Sequence, residues 1–173
     1  MLFADVRGYT SLTERLAPAE VTVLINRFYE TASSALLASE GLLGQVEGDN
    51  VMCLFVPGLA GTEYRRKSVE GGRALIAAVQ TDPELGRWLR IGVGIATGEE
   101  FVGNVGGGGY KDFTALGDVT NTSARLTAQA AAGELLVDAE TYAAVADKYP
   151  DAERRELKLK GKAATVETFR VSV

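Results

Sequence analysis

Short apolar runs alternate with longer amphipathic segments along this 173-residue chain, without a linker, an internal repeat or a low-complexity tract. Apolar runs bounded by Gly, Pro or Asp predict strands, whereas apolar residues that recur at helical spacing predict helices. The predicted strands cover 2–5, 42–47, 51–56, 90–97, 100–105, 112–116, 134–138 and 165–172, and the predicted helices run from Pro18 to Gly41 and over 63–81, 118–131 and 139–147. This order predicts one α+β domain over 1–173, with a ferredoxin-like βαββαβ core, additional C-terminal strands and helices, and helices packed on one face of a mixed sheet.

The composition disfavours several kinds of function. The chain has no histidine, so histidine acid–base catalysis and histidine-ligated zinc are not available, and its one cysteine, Cys53, cannot form an internal disulfide. The net charge of −5 disfavours nucleic acid as a partner. No apolar stretch approaches the roughly 20 residues of a membrane span and no signal peptide is visible, so we expect a cytoplasmic domain that makes no membrane contact of its own.

Two aspartates, Asp5 and Asp49, stand where predicted strands end or begin. Asp5 follows a short apolar run, and Asp49 lies in a Gly-Asp-Asn turn directly before another. Aspartate is also common in turns, so either residue alone has a purely structural explanation. Together, carboxylates on neighbouring strand ends are the oxygen ligands that Mg²⁺ or Mn²⁺ prefers beside a nucleotide triphosphate. The pair therefore predicts a site for two divalent cations.

Ordered sequence blocks resemble the catalytic domains of class III nucleotidyl cyclases and cover nearly the whole chain. They are 3–12, 48–52, 92–98 with 102–106, 113–126 and 159–162. The resemblance implies the class III cyclase fold and the conversion of ATP to 3′,5′-cyclic AMP and pyrophosphate. It also implies that Asp5 and Asp49 bind the two metal ions.

The resemblance assigns further residues to the substrate. Backbone amides of the turn that enters the next helix would cradle the β- and γ-phosphates, and this turn consists of Val6, Arg7, Gly8, Tyr9 and Thr10. Asn121 would orient the ribose and Arg125 would hold the α-phosphate, and their spacing of four places them on one helix face. Lys160 would contact the terminal phosphates. The alternatives are a solvated polar helix face for the first two and an ordinary surface lysine for the third.

Purine selection is where this chain departs from the family. Gln45 stands where members that use ATP carry lysine, and Thr114 aligns with the partner position, which is often aspartate or threonine. An amide can both donate and accept hydrogen bonds, so it suits either purine. We favour ATP, with GTP as the alternative substrate. The loop 106–109 consists of four glycines where relatives often have a nearby arginine, and either Lys111 substitutes for that arginine or the loop is mobile.

The resemblance also implies partners. The metal-bearing and transition-state residues belong to opposite ends of a shared cleft, so we expect a homodimer with two equivalent sites. Only four residues precede Asp5, fewer than the family's first strand has, so we expect regulatory domains in a longer parent protein with a possible membrane anchor. A guanylate cyclase and a catalytically silent nucleotide-binding dimerisation module are the alternatives. A dinucleotide cyclase is disfavoured because the chain lacks a Gly-Gly-Asp-Glu-Phe turn.

Overall fold

The computed structural model describes residues 1–109, 112–159 and 165–173. Its strands are β1 (Leu2–Val6), β2 (Leu42–Glu47), β3 (Asn50–Leu54), β4 (Ile91–Ile95), β5 (Phe101–Val105), β6 (Asp112–Leu116), β7 (Leu135–Asp138), β8 (Glu153–Leu157) and β9 (Val166–Val171). Its α-helices are α1 (Tyr9–Arg15), α2 (Pro18–Ala38), α3 (Pro57–Ala60), α4 (Tyr64–Thr81), α5 (Leu85–Trp88), α6 (Asp118–Gln129) and α7 (Ala139–Ala143), with one 3₁₀ turn at Gly61–Glu63. The predicted α+β class is confirmed.

Seven strands form one mixed sheet in the order β2-β3-β1-β4-β7-β9-β8, and β5 and β6 form a separate hairpin. All neighbours in the large sheet are antiparallel except β4 and β7. The central strand β1 lies between β3 and β4 and is antiparallel to both. The C-terminal end of β1 therefore lies beside the N-terminal ends of β3 and β4, and we call this end of the three strands the site edge. Asp5 pairs with Asn50 of β3 and with Gly92 of β4 at this edge.

Helices α2 and α4 cover one face of the sheet and enclose the larger core. Gly72 of α4 lies so close to the sheet that a Cβ atom there would meet side chains of Leu135, Val93 and Leu2 at 3.2–3.4 Å. Phe28 of α2 is fully buried in the same cluster. Burial of this apolar layer, at about 25 cal/mol per Å², is the main stabilising contribution that a sheet covered by helices gains.

Helix α6 packs on the opposite face, so the prediction that the helices share one face is wrong. A Cβ atom at Gly94 would lie 2.2 Å from the backbone N of Thr127 and 2.6 Å from the backbone O of Ser123. Side chains alternate along a strand, so Val93 faces α4 while its glycine neighbours Gly92 and Gly94 face α6. The glycines allow the helix backbone to approach the strand closely.

Local elements that the sequence analysis missed are short or polar. Helix α1 occupies the segment predicted as a turn after β1, and α3 and α5 are four residues each. The edge strand β8 reads Glu-Arg-Arg-Glu-Leu, and its arginines form ion pairs outside the strand: Arg154 with Glu167 of β9, and Arg155 with Glu134, directly before β7, at 2.9 Å. Such charges are typical of a protected sheet edge and hide the strand from an apolar pattern search. Among the described residues, no helix is both long and apolar enough to cross a membrane.

Candidate active site

The Asp5 and Asp49 side chains meet at the end of β1. Gly48, with φ of 60°, makes the turn between β2 and β3, and the Asp49 carbonyl accepts a hydrogen bond from the backbone N of Val6 at 3.0 Å. The Asp5 carboxyl group lies close enough to that of Asp49 for the second charge to raise its pKa. Asp5 lies on the same face of β1 as Phe3, whereas Leu2 and Val6 point into the core beneath α2 and α4. The pair therefore faces the α6 side of the sheet.

The charges at this edge are incompletely balanced. Burial, followed by the nearby Asp49 carboxylate, raises the pKa of Asp5 from 3.8 to about 6. The Arg7 guanidinium opposes this pKa shift, with Nη2 3.0 Å from Asp5 Oδ2. No third acidic or sulfur ligand joins the pair among the described residues. Two carboxylates suit Mg²⁺ or Mn²⁺, which commonly completes its coordination with phosphate and water, so the donor set fits the predicted cations.

A tyrosine that the sequence analysis did not select supports the turn before Asp49. The Tyr29 hydroxyl, on α2, donates a hydrogen bond to the Gly48 carbonyl at 2.6 Å. Burial is the first cause that raises the pKa of Tyr29, and the charges of neighbouring acidic groups add to it. The hydrogen bond connects the turn before Asp49 with helix α2, through two residues that are 19 positions apart in the chain.

Some backbone amides of the predicted phosphate-binding turn already donate hydrogen bonds within the protein. The Val6 amide donates to Asp49, as described above, and the Arg7 amide donates to the Arg90 carbonyl at 2.7 Å. These two amides are therefore occupied, and the prediction is corrected to the amides of the next residues, Gly8, Tyr9 and Thr10. Gly8, with φ of 71°, lies directly before α1, and first-turn amides of a helix have no partner within it.

Asn121 and Arg125 occupy the outward face of α6. Ser123 and Leu126, between and beside them, are fully buried against the sheet. The Asn121 side-chain amide donates to the Gly117 carbonyl at 3.0 Å, whereas Arg125 has no hydrogen bond or ion pair within the part of the chain that the structure describes. Both side chains therefore point away from the sheet face that carries Asp5, and one chain alone does not bring the two sets together.

A third residue, Asp112, connects Gln45 with the strand that carries Thr114. The Gln45 side-chain amide donates to Asp112 Oδ2 at 2.5 Å, and Asp112 precedes Thr114 by two positions on β6, so both side chains are on one face of that strand. Gln45 also lines a cavity of about 440 Å³ with Asp49. The sequence analysis missed Asp112. The only sequence feature that could have indicated it is its position two residues before Thr114, which places both side chains on one face of the strand.

Comparison with known proteins identifies the family. A sequence profile of the adenylate and guanylate cyclase catalytic domain matches residues 1–172. The chain belongs to this family. The cyclase domain is 28% identical over 141 residues to an adenylate cyclase from Anabaena cylindrica, which is 73% of this chain and 26% of that protein. It thus spans about a quarter of the length of the curated relatives it matches.

Solved cyclase structures share the fold. The adenylyl cyclase CyaB from P. aeruginosa is similar with a TM-score of 0.86 and 29% identity, over 99% of this chain and 92% of that one. The guanylyl cyclase Cya2 shares the fold with a TM-score of 0.91 at 24% identity, over 98% and 89% of the two chains. Adenylyl and guanylyl cyclases are therefore both among the similar proteins, and the family alone does not decide the purine.

Two predicted contributions to this cyclase site lie outside the described residues. They are the contact of Lys160 with the terminal phosphates and the substitution of Lys111 for an arginine. The neighbouring tetraglycine loop is described, and φ is 127° at Gly106 and 64° at Gly108. These backbone conformations favour glycine, which explains the residue type without assigning the loop a role.

Proposed function

We propose that this cyclase domain converts ATP to 3′,5′-cyclic AMP and pyrophosphate in sites shared between two copies of the chain. The observation that carries the proposal is the Asp5–Asp49 pair, whose partly buried carboxyl groups meet on an open sheet edge and lack a full complement of positive charge. A divalent cation beside them would supply that charge. Relatives that are named adenylate or adenylyl cyclases support the same activity.

The residues divide the reaction between them. Asp5 and Asp49 would hold two Mg²⁺ or Mn²⁺ ions, which when bound favour ionisation of the ribose 3′-hydroxyl and neutralise the triphosphate. The 3′-oxygen attacks the α-phosphorus, the bond to the β-phosphate oxygen breaks, and pyrophosphate leaves. Asn121 orients the ribose through its amide, and Arg125 holds the charge on the α-phosphate, where positioning and charge stabilisation contribute most to phosphoryl transfer.

A homodimer is part of the proposal because Arg125 points away from its own carboxylate pair. The β5–β6 hairpin offers a surface for a second copy: Phe101 and Leu116, which are paired across the hairpin and therefore lie on one of its faces, are 55% and 52% exposed. Contiguous exposed apolar side chains of this kind are typical of interfaces. A closed two-fold dimer would place each metal pair opposite the Arg125 of the partner subunit and make two sites.

ATP is the proposed substrate on the basis of the hydrogen bonds at Gln45. Asp112 accepts a hydrogen bond from the NH₂ group of the Gln45 side chain, and this leaves the Gln45 carbonyl oxygen available. That oxygen accepts from the exocyclic amine of adenine, and the Thr114 hydroxyl can donate to the adjacent ring nitrogen. The same oxygen can accept from the N1–H of guanine, and this supports cyclic GMP synthesis as the second candidate function.

The first test measures product formation from ATP and from GTP, each with Mn²⁺ and with Mg²⁺, over a range of protein concentrations. We expect cyclic AMP, with a rate that rises more than linearly with protein concentration while dimers form. Cyclic GMP in its place would overturn the purine assignment alone. No cyclic product from either nucleotide, with folding and dimerisation established, would favour the silent nucleotide-binding module.

Mixing two inactive variants tests whether the sites are shared. Asp49→Ala chains lack a metal ligand and Arg125→Ala chains lack the α-phosphate contact, but a mixed dimer retains one complete site. We expect the mixture to recover activity that neither variant has alone. Absence of recovery, with mixed dimers demonstrated, would contradict a site that spans two chains.

A further inference from the structure

The face of helix α6 that packs on the sheet is largely polar. Of the four buried residues of α6, one is apolar and three carry a hydroxyl group: Leu126, Thr122, Ser123 and Thr127. The strand beneath it, β4, presents Gly92 and Gly94 to the helix. Glycines have no side chains between which those of a helix can interlock, so packing on β4 does not by itself fix where α6 lies along the strand.

Two of the buried hydroxyl groups donate to backbone carbonyls of the sheet. Ser123 Oγ lies 2.9 Å from the carbonyl O of Gly94 on β4 and 3.1 Å from that of Met1, directly before β1. Thr127 Oγ1 lies 3.2 Å from the carbonyl O of Phe3 on β1, in addition to 2.9 Å from the Ser123 carbonyl of its own helix. Because hydrogen bonds are directional, these contacts specify the position of α6 along β1 and β4.

A third polar contact holds the N-terminal end of α6. The N-cap residue Gly117 has no side chain, and Glu100 Oε1 accepts a hydrogen bond from the backbone N of Thr120 at 2.8 Å. A carboxylate at this end satisfies a first-turn amide and suits the positive end of the helix dipole. Glu100 directly precedes β5, so the contact also connects α6 with the β5–β6 hairpin.

We propose that Ser123, Thr127 and Glu100 are positioning residues, which hold α6 in the register that places Asn121 and Arg125 for the reaction. This inference rests on the proposed function. The contacts on the sheet side of α6 alternate along the helix with the two reactive side chains on its outward side. A misplacement of about 1 Å can cost about 10²-fold in rate, so a smaller shift of the helix is expected to slow the reaction roughly tenfold.

Mixed dimers separate positioning from general stabilisation, because a complete site takes its metal ligands from one chain and α6 from the other. Ser123→Ala is added either to the Asp49→Ala chain, which contributes Asn121 and Arg125, or to the Arg125→Ala chain, which contributes the carboxylates. We expect kcat to fall roughly tenfold in the first arrangement and by less than about twofold in the second. Equal losses in both would show that the hydroxyl stabilises the fold or the dimer, and would overturn the inference.

Conservative variants separate the hydrogen bonds from side-chain shape. Thr127→Val keeps the branched shape without the hydroxyl and should lower kcat roughly tenfold, whereas Thr127→Ser keeps the hydroxyl and should retain most of kcat. Glu100→Gln, which keeps an acceptor, should likewise retain more of kcat than Glu100→Ala. The matched control for Ser123→Ala is Ser68→Ala, since Ser68 is a buried serine of α4 whose hydroxyl donates to the Arg65 carbonyl of its own helix at 2.7 Å. Equal kcat losses within any of these pairs would contradict the assigned role.

Hydrogen exchange of the α6 backbone amides, measured without nucleotide, does not depend on catalysis. Ser123→Ala and Thr127→Val should speed exchange in α6 about several-fold and leave exchange in α4 unchanged, and Ser68→Ala should not speed exchange in α6. If neither nucleotide gives a cyclic product but exchange follows this pattern, the proposed function fails and the assignment of the residues that hold α6 stands. Exchange in α6 that equals the wild-type rate in both variants would overturn the inference.

Discussion

Replacing Asp49 by asparagine is expected to stabilise the chelator-treated domain above pH 6 and to abolish its stabilisation by Mn²⁺. After burial, the charge of Asp49 is the next cause that raises the pKa of Asp5 to about 6. A carboxyl group whose pKa is higher in the folded state than in the unfolded state favours folding fully at pH below the unfolded value of 3.8. That contribution is lost as the pH rises through about 6, so the two charges strain the fold only at neutral and alkaline pH.

The magnitude follows from the size of the shift. Two pKa units correspond to about 3 kcal/mol. The Asp5 side chain is 28% exposed, and burial precedes Asp49 among the causes of the shift, so removal of Asp49 relieves only part of it. We expect Asp49→Asn to raise the free energy of unfolding by about 1 kcal/mol at pH 8, after allowance for screening by solvent, and to leave it unchanged near pH 4.

Urea denaturation at pH 4.5 and pH 8, with EDTA and with Mn²⁺, measures both effects. Mn²⁺ at 100 times its Kd should stabilise the wild-type domain by about 2.7 kcal/mol and the variant by much less. Glu47→Gln is the control, since it removes an exposed charge from the same hairpin. The reasoning is refuted if Asp49→Asn does not raise the free energy of unfolding at pH 8 relative to its effect at pH 4.5, or if the variant keeps the full response to Mn²⁺.

Three further substitutions test separate parts of the structure. Tyr29→Phe removes the hydrogen bond to Gly48, and we expect a several-fold higher Mn²⁺ concentration for half-maximal activity, with kcat at saturating metal largely retained. Gly94→Ala places a methyl group against the backbone of α6 and should lower the free energy of unfolding by about 1–3 kcal/mol in denaturant titrations, whereas Gly107→Ala, with nothing within 4 Å, should not. Arg125→Ala should lower kcat by about 10²–10³ with little change in nucleotide affinity, which steady-state kinetics and equilibrium binding measure separately.

Each of these expectations has an outcome that contradicts it. Tyr142→Phe is the control, because it removes a hydroxyl that donates to the Tyr149 carbonyl away from the site. If it needs as much Mn²⁺ for half-maximal activity as Tyr29→Phe does, the effect is not specific to Tyr29. A Gly94→Ala domain as stable as the wild type would mean that α6 can move off the sheet at little cost. For Arg125→Ala, an effect confined to KM would exclude a contact that strengthens in the transition state.

The large elements were predictable because their apolar periodicity is local. Helix α2 begins at Pro18 as predicted, but it ends at Ala38 rather than near Gly41, since Glu40 adopts a left-handed conformation first. The β2–β3 hairpin and the strands from β4 to β6 also lie where the apolar runs predicted them. The polar strand β8 was not predictable in this way, because its stability depends on charged partners distant in the chain.

The functional residues were selected by motif, and the distances among them depend on the fold. Asp5 and Asp49 were identified by their position at strand ends, but their proximity and the resulting pKa shift require β1 to pair beside β3. Asp112 was overlooked because nothing near it in the chain indicates that Gln45, 67 residues away, would donate to it. Arg7 was considered only for its backbone amide, and that amide proves to be occupied.

The sequence by itself therefore determined the order of the long helices and the apolar strands, the family and the candidate residues, since periodicity and motifs are properties of neighbouring positions. Only the tertiary structure decided which sheet face α6 covers, that Arg125 points away from the carboxylates of its own chain, and that Ser123 and Thr127 donate to carbonyls of the sheet. Long-range packing brings these groups together. Burial and Coulomb interactions depend on such distances in space, which the linear spacing of residues does not specify.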